Sequence, residues 1–303
     1  MTLSPHEKPT PGHVVFLAPG IRRILAPNPS PMTYWGTNTY LVGEGAVAVI
    51  DPGPALPAHH TAIMNALAPG ETISHILVTH AHVDHSPLAR PLARSTGAPV
   101  LAFGDATAGR SDVMRGLVAR GLSTGGEGVD RDFAPDITLA DNEVIRGQDW
   151  SLTALWTPGH MANHLSFDMQ GHVFTGDHVM GWASSLVSPP DGDLTAFMAT
   201  CDRLLARKDH AYYPGHGAPI ADPAARMRWL IDHRLGRESS LLAALADQPA
   251  TIPALTRRLY ADTPPALLPA AERNVFAHLI DLVGRGKATA SPALDFMARF
   301  SLP

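Results

Sequence analysis

Thr79-His80-Ala81-His82-Val83-Asp84-His85-Ser86 sets three histidines and an aspartate within six residues, directly after the apolar run Ile76-Leu77-Val78. A short β-branched and Leu-rich run ending in such a cluster reads as a buried strand that delivers its C-terminal loop into a cleft. Histidines two apart in an extended segment can approach one ion from the same side, while the Asp-His pair that follows points at a second centre. One loop can therefore serve two metals.

Working outward, other short strands end in turns of the same kind. The runs 39–42 and 46–50, joined by Gly43-Glu44-Gly45, have a hairpin signature, and the second stops at Asp51-Pro52-Gly53. A run over 152–156 stops at Thr157-Pro158-Gly159-His160, one over 172–175 at Gly176-Asp177, and one over 211–213 at Pro214-Gly215-His216-Gly217. Each turn presents a ligand-type residue at a strand C-terminus, the usual geometry of α/β active sites. Helical spacing covers 56–67, 87–94 and 194–205. The polar, Gly-rich stretch 105–136, with a helical interruption near 113–119, reads as a substrate lid or a loose surface loop.

After Asp222-Pro223 the texture changes to Ala, Leu and Arg with helical spacing over 224–246, 252–260 and 269–285, and a weak strand pair around 287–290. Three helices with a closing ribbon resemble a winged-helix unit, so the expected division is 1–222 and 223–303. Charge divides in the same place. Residues 1–225 carry 13 Lys and Arg against 21 Asp and Glu, and residues 226–303 carry 10 against 7. That mild basic excess is a shallow footprint for a nucleic-acid binder, so packing or homodimer formation is preferred to RNA contact as the role of the tail.

With 303 residues, 45% of them hydrophobic and 17% charged, the chain has an ordinary globular composition and can bury a full core. The first fourteen residues lack an apolar core, so neither a signal peptide nor a membrane anchor is expected, and a cytoplasmic location is the default. The single cysteine, Cys201, excludes an internal disulfide and a cysteine-based zinc knuckle.

Taken in order, His80, His82, Asp84, His85, His160, Asp177 and His216 resemble the ligand set of the metallo-β-lactamase superfamily. Gly36-Thr37-Asn38-Thr39-Tyr40-Leu41, Tyr213-Pro214-Gly215-His216-Gly217 and the tail from Thr263-Pro264 to Val283 look like its lactamase-beta-2-like branch, which adds a C-terminal winged-helix-like domain. The resemblance implies an α/β fold, a four-layer αββα sandwich with a dinuclear site at one edge. By position it implies that His80, His82 and His160 hold one ion, that Asp84, His85 and His216 hold the other, and that Asp177 bridges them. Asp84 would also orient the nucleophile or carry its proton. Asp51 and Thr79 would orient ligand imidazoles from behind. His164, four residues after His160, would anchor the turn or contact substrate.

The chemistry so implied is hydrolysis by a hydroxide shared between two divalent ions, which also polarise the scissile carbonyl or phosphoryl oxygen. Zinc is the first expectation because imidazoles dominate, and iron or manganese would accept the same mixture. Three departures prune the family. True β-lactamases do not use the aspartate found here as Asp177, flavodiiron-type enzymes put a carboxylate where His82 stands, and the large nuclease branch inserts a whole domain where only 38 residues separate Asp177 from His216. What remains is an ester-type bond in a small acyl substrate, a thioester first and a lactone second, with the Met, Leu and Trp content near 182–187 lining an acyl pocket. The alternative is an endoribonuclease for single-stranded RNA, for which Arg257, Arg258 and Arg273 on the tail would speak. A protein that binds nucleic acid and uses its metal only structurally is disfavoured by so complete a ligand set.

Overall fold

The computed structural model describes residues 7–123 and 128–303. Its strands are β1 (Val14–Ala18), β2 (Ile21–Leu25), β3 (Asn38–Val42), β4 (Ala46–Ile50), β5 (Thr72–Leu77), β6 (Val100–Ala102), β7 (Ile137–Thr138), β8 (Val144–Arg146), β9 (Ser151–Trp156), β10 (Leu165–Met169), β11 (His172–Gly176), β12 (Ala211–Pro214), β13 (Ala250–Thr251), β14 (Thr289–Ser291) and β15 (Arg299–Ser301). The helices are α1 (Pro57–Asn65), α2 (Ala89–Thr96), α3 (Asp112–Ala119), α4 (Leu194–Leu205), α5 (Pro223–Asp247), α6 (Ile252–Leu259) and α7 (Leu268–Gly284). Strands β1 to β7 form one sheet in chain order, β12-β11-β10-β9-β8 form a second, and β13-β15-β14 form a small third.

Period-two alternation builds the layers. On β3 to β5, Leu41, Val47, Val49 and Ile76 face outward and pack with Ile63 of α1 and Leu92 of α2. Their neighbours Tyr40, Val42, Ala48, Ile50 and Leu77 face inward and meet Leu152, Ala154, Phe167, Phe174 and Tyr213 of the second sheet. The far face of that sheet, with Leu155, Val173 and Tyr212, is covered by Phe197, Cys201 and Leu204 of α4 and by Met227 and Leu230 of α5. The order helix, sheet, sheet, helix is the expected αββα sandwich. Cys201 is buried in that outer layer as a small apolar side chain.

Several local expectations shift. β2 lacks a strand signal in the sequence, because Arg22 and Arg23 interrupt its apolar pattern. Both are buried and find their partners at long range, Arg22 in Glu71 at 2.8 Å and Arg23 in the Gly217 carbonyl at 3.4 Å. The ribbon near 287–290 has three strands, since β15 pairs with both β13 and β14. Helix α3, inside the stretch read as a lid or loose loop, buries Met114 and Leu117 among Leu241, Leu245, Leu255 and Phe276 of the C-terminal helices. That stretch is therefore anchored through α3, and its residues 124–127 lie outside the described residues. Among the described residues no helix is long and apolar enough to cross a membrane.

Candidate metal centre

Strands β5, β9, β11 and β12 each end at the same edge of the sandwich, and their turns carry all seven sequence-predicted ligands. Backbone bonds lock the turns together. Leu165 N donates to Thr79 O at 2.7 Å, Gly215 N to Gly176 O at 2.8 Å, and Asn38 N to Gly215 O at 2.7 Å. The Asn38 amide adds bonds to the Pro214 and Gly217 carbonyls, both at 2.9 Å, so the Gly36-to-Asn38 segment stitches the His216 turn to the first sheet. Two glycines are demanded by close approach. A Cβ on Gly215 would sit 2.4 Å from Asp177 Oδ1, and one on Gly176, where φ is +47°, would sit 2.6 Å from His164 Nε2.

The side chains converge in two groups. His80, His82 and His160 form one and Asp84, His85 and His216 the other, while Asp177 joins His80 and His85 in a third that links them, with donor atoms in each group within 4.8 Å of one another. Asp177 Oδ2 is 3.3 Å from His216 Nε2 and 3.8 Å from His160 Nε2, and its Oδ1 is 3.5 Å from His85 Nε2. It thus faces both groups. Asp84 Oδ2 lies 3.1 Å from His216 Nε2 and 3.5 Å from His85 Nε2.

Contacts behind the imidazoles fix which nitrogen faces inward. Carbonyls and carboxylates only accept, so His160 Nδ1 donates to Leu186 O at 2.7 Å, His216 Nδ1 to Gly36 O at 3.1 Å, and His85 Nδ1 to Asp51 Oδ2 at 2.9 Å. The Thr79 hydroxyl donates to Asp51 Oδ2 at 2.8 Å and so accepts from His80 Nδ1 at 2.9 Å. In all four rings Nδ1 carries a proton and Nε2 points inward, bare in the neutral His80 and His160 and facing the Asp84 and Asp177 carboxylates in His85 and His216. His82 turns its Nδ1 inward instead, 2.9 Å from His80 Nε2 and 3.1 Å from His160 Nε2.

One hydrogen on His82 can satisfy only one of those two neighbours, so lone pairs converge on a point that hydrogen bonding leaves unfilled. A tetrahedral zinc with Zn–N bonds of about 2.0–2.1 Å spaces its nitrogens by roughly 3.3 Å, close to these separations. Asp177 Oδ1 is buried and receives no hydrogen bond among the described residues. Imidazoles, carboxylates and an orphaned buried oxygen are the donor set a divalent cation takes, and they fit it.

Electrostatics divide the centre the same way. Burial, reinforced by the neighbouring imidazoles, depresses the pKa of His80 far below its ordinary value and that of His82 to about 3, and burial likewise lowers His160. Burial also opposes protonation of His85 and His216, but carboxylates overcome it. Asp84, Asp177 and Asp51 raise His85 well above its ordinary value, and Asp177 with Asp84 lifts His216 to about 9. Burial works against ionised Asp177 as well, and His216 and His85 outweigh it to hold the carboxyl well below the usual range. Without metal, one half is neutral and the other is a network of carboxylates and imidazolium.

Asp51, Thr79 and His164 lie outside the three groups and behind them. Asp51 accepts from Thr79 N at 2.8 Å through Oδ1, while its Oδ2 takes the Thr79 hydroxyl and His85, which makes it the hub for two rings. His164 accepts from the Asp177 backbone N–H at 3.2 Å and donates to Thr157 Oγ1 at 2.8 Å, so it anchors the turn that carries Asp177. Sequence reasoning missed Thr39, whose hydroxyl donates to Asp51 O at 2.7 Å and accepts from His59 Nε2 at 2.8 Å. It also missed the Leu186 and Gly36 carbonyls, since a backbone acceptor has no residue-type signal.

The centre opens into a cavity of about 290 Å³. His82, Asp84, His160, Asp177 and His216 form its polar floor, and Met32, Val83, Met180 and Leu186 form much of its apolar wall. Trp182, expected in that wall, instead stacks on Tyr34 at 4.8 Å and lines a separate pocket with Trp35 and Arg226.

The metallo-beta-lactamase superfamily profile matches residues 32–216, from the loop before β3 to the last histidine of the centre. The chain belongs to the metallo-beta-lactamase superfamily. A beta-lactamase-associated winged helix domain matches residues 251–293. Among relatives in the superfamily, a beta-lactamase-like protein 2 homolog of Drosophila melanogaster is 30% identical over 93% of this chain and 94% of its own length. An atrochrysone carboxyl ACP thioesterase of a Cryptosporiopsis species is 29% identical over 76% of this chain and 64% of its own length. A metallo-beta-lactamase family protein from Thermus thermophilus superposes with a TM-score of 0.75 at 25% identity, covering 95% of this chain and all of that one. A beta-lactamase domain protein from Burkholderia ambifaria gives a TM-score of 0.80 over 97% of this chain and 95% of its own, with 20% identity, and speaks to the fold alone. With its His/Asp centre and these relatives, the chain is a hydrolase of this superfamily with a candidate metal-binding His/Asp site.

Proposed function

We propose that the chain hydrolyses a thioester or related carbonyl ester of a small acyl substrate, with a lactone as the next substrate class. The observation that carries this reading is the cavity itself, with Met32, Val83, Met180 and Leu186 facing the His/Asp floor across about 290 Å³. That apolar wall binds an acyl chain and excludes water from it. The thioesterase relative supports the same class. The alternative, cleavage of single-stranded RNA, would draw on the arginines of the tail, but two of the three already have partners within the chain, Arg258 in an exposed surface pair and Arg273 in a partly buried contact. Arg258 pairs with Asp247 at 2.5 Å, and Arg273 donates to the Pro189 carbonyl at 3.3 Å.

His80, His82 and His160 would hold one ion, Asp84, His85 and His216 a second, and Asp177 would bridge, with zinc first and iron or manganese behind it. Bound there, divalent ions supply Lewis acidity that lowers the pKa of a water and polarises the scissile carbonyl. Asp84, at the cavity floor, faces His85 and His216 through Oδ2, which leaves Oδ1 to take a proton from the attacking water and return it to the leaving thiol or alcohol. Asp51, Thr79 and His164 keep the rings and the Asp177 turn in place. We also divide the chain at Asp222, which caps α5 by accepting from Ala225 N at 2.9 Å, into a catalytic unit 1–222 and a winged-helix-like unit 223–303.

The test is a parallel assay of zinc-, iron- and manganese-loaded protein against acyl-CoA thioesters, lactones and single-stranded RNA. Thioester cleavage without RNA cleavage is expected. RNA cleavage without any ester cleavage would overturn the reading.

A further inference from the structure

Arg234, on α5, is a buried guanidinium with only 3% of its surface exposed, and no carboxylate pairs with it among the described residues. An unpaired buried charge is costly unless hydrogen bonds surround it. Here one bond runs directly to the catalytic unit and another reaches it through Asn274. Nη2 donates to the Ser185 carbonyl in a very short contact, Nη1 donates to Asn274 Oδ1 of α7 at 3.3 Å, and the guanidinium lies over the Phe197 ring at 5.0 Å. Asn274 Oδ1 accepts in addition from the backbone N–H of Val187 at 3.1 Å. Arg226 and Arg273 extend the pattern to the Ala183 and Pro189 carbonyls, at 2.7 and 3.3 Å.

The segment so gripped, residues 183–189, contains Leu186. Its carbonyl accepts from His160 Nδ1, and its residue lines the cavity. A second route reaches the same histidine, since Phe197 under the guanidinium packs so closely on Gly159 that a Cβ there would sit 2.5 Å from Phe197 Cα.

We infer that the C-terminal unit is a working part of the metal centre. Arg234 and Asn274 are positioning residues that hold residues 183–189, and through Leu186 O they orient the His160 imidazole so that Nε2 faces His82. A guanidinium suits this task because its planar fork reaches a carbonyl and an amide oxygen at once while stacking on a ring. The partner of this interaction is the chain's own active-site wall, which gives the winged-helix-like unit a role apart from nucleic acid. The inference rests on His160 being a metal ligand, as proposed above.

The test compares metal-free full-length protein with three variants, Arg234→Met, Asn274→Ala and His160→Ala. Each is titrated with Co²⁺, followed by d–d absorption, and with Zn²⁺, followed by calorimetry. Deuterium exchange is read on residues 183–189, and Tm controls for folding. The first two variants are expected to exchange faster over 183–189 and to bind one of two ions about 10–100-fold more weakly, the usual size of an effect from behind a ligand. Asn274 is only partly buried, so its variant keeps the test open if Arg234→Met fails to fold. Wild-type titration in a folded Asn274→Ala or Arg234→Met, beside a defective His160→Ala, overturns the positioning role alone. Wild-type titration in a folded His160→Ala overturns the ligand reading on which the role stands.

Discussion

Asp51 shows how much of the centre is decided by residues that would not touch the metal. One carboxylate takes the Thr79 amide, the Thr79 hydroxyl and His85 Nδ1, and thereby sets two imidazoles with Nε2 turned inward. Replacing it with Ala leaves His85 free to rotate and Thr79 without its acceptor. Asp51→Ala is expected to weaken metal binding by about 10–100-fold while leaving seven ligand-type residues in place, read by competition with a chelator. Asp177→Ala is more severe, because this carboxylate alone faces both groups. Its expected result is loss of one or both ions by elemental analysis and loss of hydrolysis on every substrate, and full activity would sink the dinuclear reading. At this scale the sequence is legible wherever function resides in a side chain of distinctive type. His80 to His216 can be collected from their turns by residue type and position alone. The Leu186 and Gly36 carbonyls, which fix His160 and His216, cannot, because every residue carries a carbonyl.

Elements tell a similar story of visible patterns and hidden partners. Runs such as Ala46–Ile50 alternate cleanly, and their layer assignment follows from which side chains meet α1 and α2 and which meet the second sheet. β2 is hidden because the partner that makes Arg22 tolerable, Glu71, is 49 residues away. β7, two residues long, and β8, three, exist through pairing rather than pattern, so no local signal announces them. Helix α3 is visible in the sequence as a helix but not as an anchor, since its core neighbours lie beyond residue 240. The turns of the centre are the elements most sensitive to volume. Gly215→Ala would press a methyl into Asp177 Oδ1 and His85 Cε1, at 2.4 and 2.7 Å, and the turn cannot yield without moving His216. The expected outcome is a folded protein, by its circular dichroism, that holds less than its full complement of metal. Wild-type metal content would mean that the β12 turn is looser than its hydrogen bonds to Asn38 imply.

Across the whole molecule the charges are sorted so that metal and protons compete for one half of the centre. His216, lifted from an ordinary 6.5 to about 9 by Asp177 and Asp84 against the effect of burial, lends the metal-free protein stability that is fully present below pH 6.5 and fades as pH rises through 9. His80, His82 and His160 act with the opposite sign. Their depressed values mean that the unfolded chain takes up protons the folded one refuses, so their contribution is present above about 6.5 and is lost as pH falls below it, toward about 3 for His82. As far as these histidines decide it, the metal-free protein weakens on both sides of pH 6.5. Metal binding needs neutral imidazoles, so an ion entering the Asp84, His85, His216 group must displace protons at pH 6.5 and displaces fewer at pH 9. Stabilisation by a ligand grows with its effective affinity. The rise in Tm on adding a fixed excess of zinc is therefore expected to be larger at pH 9 than at pH 6.5, with matched calorimetry at pH 6.5 showing proton release through its dependence on buffer enthalpy. A rise in Tm that is flat or shrinks over that interval, with no buffer dependence, would mean that His216 is neutral before metal arrives and that Asp84 and Asp177 do not hold it charged.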